Sequence, residues 1–138
     1  MSYKLLEHAT DAFVEVKAEN LKEAFIQAGL AVVDITLDRK TVQEKTQKKI
    51  FASGRDLRNL LYNWLEEIIF CLITDGYAIS RIELNLEKDL DFKIEAVVFG
   101  EQLDLKKHNF KVEIKAPTFH LMEIEEKSYV KMRFLMDL

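Results

Sequence analysis

Two short polar segments interrupt a chain that otherwise alternates apolar and polar residues, and both carry groups able to hold a cation or move a proton. The first is Glu7-His8-Ala9-Thr10-Asp11, between Leu5-Leu6 and the alternating run Val14, Val16, Ala18. Its backbone is expected to leave the strand ladder, so that its side chains face a shared pocket. Taken alone, Asp11 is first a loop or capping carboxylate. The second is the chain end, Met136-Asp137-Leu138. Val130, Met132, Phe134 and Met136 carry strand character up to it, which should dock the last residues at a sheet end where fraying would be the default. Two weaker groups are Lys115 to His120, around the sole proline, and Gly100-Glu101, which leads towards His108. Lys115 and His120 could line one pocket. Their plainer reading is a strand connection with exposed charges.

Other chemistry is hard to place. The sequence has no G-x-x-x-x-G-K-[ST], G-x-G-x-x-G or G-x-S-x-G motif. With four glycines, it has little material for a phosphate-cradling loop. Cys71 is the lone cysteine, which rules out an internal disulfide and a cysteine zinc cage. It lies in an apolar helical stretch and reads as a buried structural thiol.

The elements that must position these groups are legible from periodicity. Asn20 with Glu23 forms a capping-box pattern ahead of Leu21, Ala24, Phe25, Ala28, Val32 and Ile35, predicting a helix over 21–35. Residues 41–52 read as an exposed edge strand protected by Lys45, Lys48 and Lys49. A second helix is capped by Ser53 or Asp56, carries a stripe of Leu57, Leu60, Leu61, Trp64, Ile68 and Leu72, and stops at Asp75-Gly76. Ile82, Leu84 and Leu86, a turn at 88–91, and Phe92, Ile94, Ala96 and Val98 predict a hairpin. Phe110, Val112 and Ile114 alternate as a further strand would. Two early helices among six or seven mostly antiparallel strands make an α+β sandwich, with the helices covering sheet surface.

In order along the chain, these pieces resemble the archease family, the small protein cofactor of RtcB-type RNA ligases. Glu7 to Asp11 matches its opening motif, Ala24-Phe25-Ile26-Gln27-Ala28 its first helix, and Leu60 to Glu67 its second. Gly100-Glu101, His108, Lys115 to His120 and Asp137-Leu138 follow with compatible gaps. The Ala9-Thr10 order is the reverse of the family's, and Pro117 stands where an apolar residue is common. The resemblance implies an archease-like sandwich and a divalent cation held by Asp11 and Asp137, with a backbone or terminal oxygen of Leu138 as third ligand. Oxygen ligands favour Ca²⁺, with Mg²⁺ next, while His8 or His120 in the shell would shift the preference towards Zn²⁺. His8, Glu101, Lys115 and His120 are further pocket or partner-contact residues.

The implied role is activation of an RtcB-type ligase, promoting its guanylylation and multiple turnover in tRNA splicing or RNA repair, and the protein itself is not an enzyme. One alternative is a general chaperone or modulator of nucleic-acid-modifying proteins. Another is a metal-dependent hydrolase using Asp11 and Asp137, with His8 or His120 as base.

Composition agrees with a partner-directed role. The 138 residues suit a single domain, 1–138, and 49% are hydrophobic, enough for one core. Net charge is −4, whereas a free-standing nucleic-acid binder is usually basic, so RNA is expected to be met only through the ligase. The exception is 39–58, with seven Lys or Arg against two acidic residues, whose plainest reading is a solvated edge strand. The longest apolar runs fall far short of the roughly 20 residues that span a bilayer, and the first residues lack a secretory layout, so a cytoplasmic protein without membrane contact is expected.

Overall fold

The protein is described by a computed structural model covering residues 2–6 and 11–138. Glu7, His8, Ala9 and Thr10, and with them the expectation for His8, lie outside the described residues. In chain order the elements are β1 (Ser2–Leu6), β2 (Asp11–Ala18), α1 (Leu21–Thr36), β3 (Thr46–Gly54), α2 (Leu57–Ile69), β4 (Tyr77–Lys88), β5 (Phe92–Gln102), β6 (Ala116–Glu126) and β7 (Val130–Asp137). They form a four-stranded sheet, β1-β2-β7-β6, and a three-stranded sheet, β3-β5-β4, with antiparallel pairing throughout. This is the expected α+β class.

Both helices are shared by the two sheets. α1 packs on β2 and β7 of the larger sheet and on β4 of the smaller, and α2 packs on β6 and on β3. That position explains why α1 is apolar on most of its circumference, burying Ala24, Phe25, Ala28, Gly29, Leu30, Ala31, Val32 and Val33. The caps follow from side-chain chemistry. Asn20 accepts the Glu23 N–H at 2.9 Å, and Asp56 accepts the Asn59 N–H at 2.8 Å. Asp56 therefore starts α2, and Ser53 belongs to β3. The stripe of α2 buries Leu60, Leu61, Trp64, Leu65, Ile68 and Ile69. Trp64 ties the helices together by donating its indole N–H to the Phe25 carbonyl at 2.9 Å.

Beyond Ile69 the chain takes a wide π-helical turn over Phe70–Thr74 and ends at Gly76, whose φ is +61°. A methyl group built on Gly76 would meet nothing within 4 Å, so only the left-handed backbone opposes it. Gly76→Ala should therefore cost about 1 kcal/mol, read as a lower urea midpoint with an unchanged slope.

Three segments differ from the sequence expectation. The strand expected over 41–52 begins only at Thr46, because Asp38 diverts the chain into a 3-10 turn at Arg39–Thr41. The Thr41 hydroxyl donates to the Asp38 carbonyl at 2.7 Å, and the Asp38 side chain accepts the Lys40 N–H. Such local bonds compete with a ladder. Residues 110–114 form no strand, since their backbone serves the end of α1: the Lys111 N–H donates to the Thr36 carbonyl at 2.8 Å. Their alternation reflects burial of Ile114 against the core. Pro117, expected in a connection, lies inside β6 opposite Met136. β6 is an edge strand, where a missing N–H need cost no ladder bond. Among the described residues no helix is long and apolar enough to cross a membrane.

Candidate metal centre

The register of the central pair builds the site. Ala12, Val14, Val16 and Ala18 of β2 stand opposite Met136, Phe134, Met132 and Val130 of β7, and all eight enter the core. The intervening residues must then face the other side of the sheet, since side chains alternate along a strand. Asp11 is directly opposite Asp137. Residues so paired hold their Cβ atoms roughly 4.5–5.5 Å apart, and like charges there destabilise the pairing. Ala116 flanks Asp137 on the other side, and the Lys115 N–H donates to the Asp137 carbonyl at 2.9 Å, anchoring the end of β7. Leu138, half-buried, packs against the core.

Among the described residues the Asp137 carboxylate has no ion pair. Among the described residues no group of three or more His, Cys, Asp or Glu side chains forms around the two aspartates. Two opposed carboxylates supply oxygen ligands, which fit a hard, oxygen-seeking cation that keeps water in its shell. They do not make the tetrahedral nitrogen and sulfur set of a structural zinc site.

The other anticipated residues lie apart from this pair. Lys115 lines a cleft of about 370 Å³ with Glu66, Glu67, Phe70 and Pro117. His120 is exposed on an irregular stretch of β6 between Thr118 and Glu123, where Leu121 takes a φ of +61°. His120 is not among the residues lining the cleft that holds Lys115. Beside His120, the Phe119 ring stacks on Tyr62 of α2 at 4.4 Å, with the Arg58 guanidinium 5.9 Å from the Phe119 ring centre.

Glu101 is in the second sheet, buried, with its carboxylate fully engaged. It accepts the Gln43 backbone N–H at 2.9 Å, His108 Nε2 at 3.0 Å and Lys107 Nζ at 2.9 Å. The Gln43 N–H, followed by His108 and Lys107, holds this carboxyl well below the usual carboxylate range. His108 Nδ1 accepts the Asp104 N–H at 3.0 Å, which leaves Nε2 as the protonated nitrogen that donates to Glu101. The network fastens the 103–109 loop to β5 and to the segment leading into β3. Cys71 is buried, and burial pushes its thiol up to about 12, as an inert structural thiol requires.

One charged residue escaped sequence reasoning. Glu15 shares the outward face of β2 with Asp11, yet is only 4% exposed. Arg133, directly opposite, covers it with contacts of 2.7 and 2.8 Å, and Lys4 approaches to 3.4 Å. Burial pushes the Glu15 carboxyl up, but Arg133 and Lys4 together outweigh it and hold the carboxyl below its ordinary value of 4.5. A carboxyl depressed by folding stabilises above its unfolded pKa and loses that contribution as pH falls through the folded one. Arg133→Met should therefore cost about 1–2 kcal/mol at pH 7, Arg133 being partly solvated, and less below pH ~4. Urea midpoints across that pH range check this.

Comparison with known proteins places this geometry. The model of the archease protein family matches residues 3–138, nearly the whole chain. The chain belongs to the archease family. The archease of Pyrobaculum islandicum is 36% identical over 99% of this chain and 95% of its own length. That of Pyrococcus abyssi is 35% identical over 87% and 85%. The solution structure of Methanobacterium thermoautotrophicum protein 1598 superposes with a TM-score of 0.81 at 28% identity, covering 99% of both chains. A Thermotoga maritima archease, described as a possible chaperone, shares the fold with a TM-score of 0.64 at 19% identity.

Proposed function

We propose that this archease is a metal-binding accessory protein that activates an RtcB-type RNA ligase in the cytoplasm, promoting guanylylation and multiple turnover in tRNA splicing or RNA repair. The observation that carries the reading is the cross-strand register of Asp11 and Asp137 in a chain of this family. Asp11, Asp137 and an oxygen of Leu138 would hold the cation, which suits Ca²⁺ better than Mg²⁺ or Zn²⁺. When bound, it neutralises the opposed carboxylates and offers an incompletely filled oxygen shell to a partner's active site. The protein's own part is to fix the two carboxylates on β2 and β7, with Lys115 anchoring the end of β7.

The description of the Thermotoga protein as a possible chaperone supports a second reading, a general chaperone or modulator of nucleic-acid-modifying proteins. One assay separates the two. Limiting RtcB-type ligase is incubated with excess broken RNA and GTP, with this protein, with its Asp11→Ala form, or alone. Wild type should carry the ligase through repeated rounds, and Asp11→Ala should leave it at a single round. Equal turnover in all three arms sinks the activator reading. Stimulation by both forms alike would favour metal-independent chaperoning.

A further inference from the structure

The ladder that sets Asp11 against Asp137 carries the opposite charge at its far end. Lys17 of β2 stands directly opposite Lys131 of β7, on the same outward face of the larger sheet. Like charges so placed destabilise the pairing, as they do at the acidic end. Neither lysine is closely neutralised. Lys17 reaches Glu15 only at 4.0 Å, and Lys131 reaches Glu125 at 3.7 Å.

The next row deepens the imbalance. Lys4 of β1, Glu15 of β2 and Arg133 of β7 lie side by side across the sheet. The buried Glu15 carboxylate serves three cations, with Arg133 at 2.7 Å, Lys4 at 3.4 Å and Lys17 beyond them. The remaining carboxylates of these rows, Glu123 and Glu125, stand on the edge strand β6, opposite Arg133 and Lys131. The surface over β1, β2 and β7 thus carries four cations, with one buried carboxylate beneath them and two acids along one side. Glu19 and Lys127, which follow β2 and β6, bring one charge of each sign. No apolar side chain belongs to either row, since Ser2 is the residue opposite Lys17.

We infer that these two rows bind the sugar–phosphate backbone of single-stranded RNA, so that RNA held by the ligase runs along the outer face of β2 and β7 towards the cation site. The inference rests on the activator reading above. A purely polar, cationic surface gives a protein segment no apolar anchor, whereas phosphates are held by charge alone. The rows are two residues apart, roughly 7 Å, comparable with the step between successive phosphates of an extended single strand. Asp11 lies six residues from Lys17 along β2, roughly 20 Å, so a few nucleotides bridge the two ends of the ladder. A net charge of −4 keeps such binding weak for the chain alone, which suits RNA that a ligase already holds.

The test titrates the full chain into a labelled single-stranded RNA of mixed sequence, read by fluorescence anisotropy over a range of salt and without ligase. The variants are Lys17→Gln and Lys17→Gln/Lys131→Gln, with thermal melts as the control for fold. Wild type should bind with an affinity that falls steeply as salt rises. Each phosphate contact removed lowers the slope of log affinity against log salt by about 0.7, so the double variant should lose about 1.4 of slope and about 20-fold in affinity at low salt. Should the double variant melt early, Lys17→Gln carries the test through half that change in slope. Ligase turnover with wild type is measured separately. RNA binding that is absent, or equal in all three proteins, overturns the site and leaves the activator reading standing wherever wild type stimulates the ligase. A ligase that wild type does not stimulate overturns the activator reading, while RNA binding lost in the variants still upholds the site. Tighter binding to phosphatidylserine vesicles than to RNA, lost in the same variants, assigns the lysines to an anionic membrane and overturns RNA as their occupant.

Discussion

Trp64→Ala should cost about 3–5 kcal/mol, a large part of the 5–15 kcal/mol that a domain commonly holds in reserve. Trp64 is fully buried where α1 meets α2. Its ring lies against Gly29, where an added methyl would come within 3.2 Å of it, and its N–H reaches the Phe25 carbonyl. Alanine would remove the apolar contact of both helices and leave a void walled by elements that each also pack on a sheet. Neither helix can close that void without losing its sheet contacts, so little relaxation is available. Trp64→Phe keeps most of the ring and loses only the indole donor, for about 1–2 kcal/mol. Urea unfolding of the three proteins checks the order, and an alanine variant within 1.5 kcal/mol of wild type would contradict the packing argument.

That dependence on a single side chain was partly legible beforehand. The 3.6-residue spacing of Leu57, Leu60, Leu61 and Trp64 marks a helix face, and the two-residue spacing along β2, β4, β5 and β7 marks sheets. Both kinds of pattern report burial directly. What they do not report is which elements meet. The register that sets Asp11 against Asp137 joins opposite ends of the chain, so the resemblance to archease supplied the pair before any geometry did. Glu15 shows the limit from the other side. Alternation assigns it to the outward face, correctly, but its burial comes from Arg133, 118 residues away. The 110–114 segment failed because alternating burial against a helix end looks in sequence like a strand. Glu101 and His108 stood out in sequence as polar residues of a candidate pocket, yet their side chains bond each other where the 103–109 loop meets the second sheet, far along the topology from the acid pair.

The opposed aspartates make the sharpest functional prediction, because its sign reverses with the cation. Without divalent metal, Asp11 and Asp137 put two like charges on directly opposed positions of the ladder. Asp137→Asn removes that repulsion, so the chelated variant should be more stable than chelated wild type by about 0.2–1 kcal/mol. Adding calcium should invert the order. At a hundredfold excess over its Kd, a cation bound only by the folded state adds about 2.7 kcal/mol, roughly 10 °C in Tm for a chain of this size. The variant, left with one carboxylate, should gain little of it. Asp11→Asn should behave the same way, and Glu101→Gln should not, since Glu101 belongs to the other sheet and its loss would lower stability in both conditions. A thermal melt of the proteins with chelator and with calcium decides the matter. If Asp137→Asn gains as much from calcium as wild type, the aspartate pair is not the cation site, and the reading of this archease as a metal-dependent activator loses its structural basis.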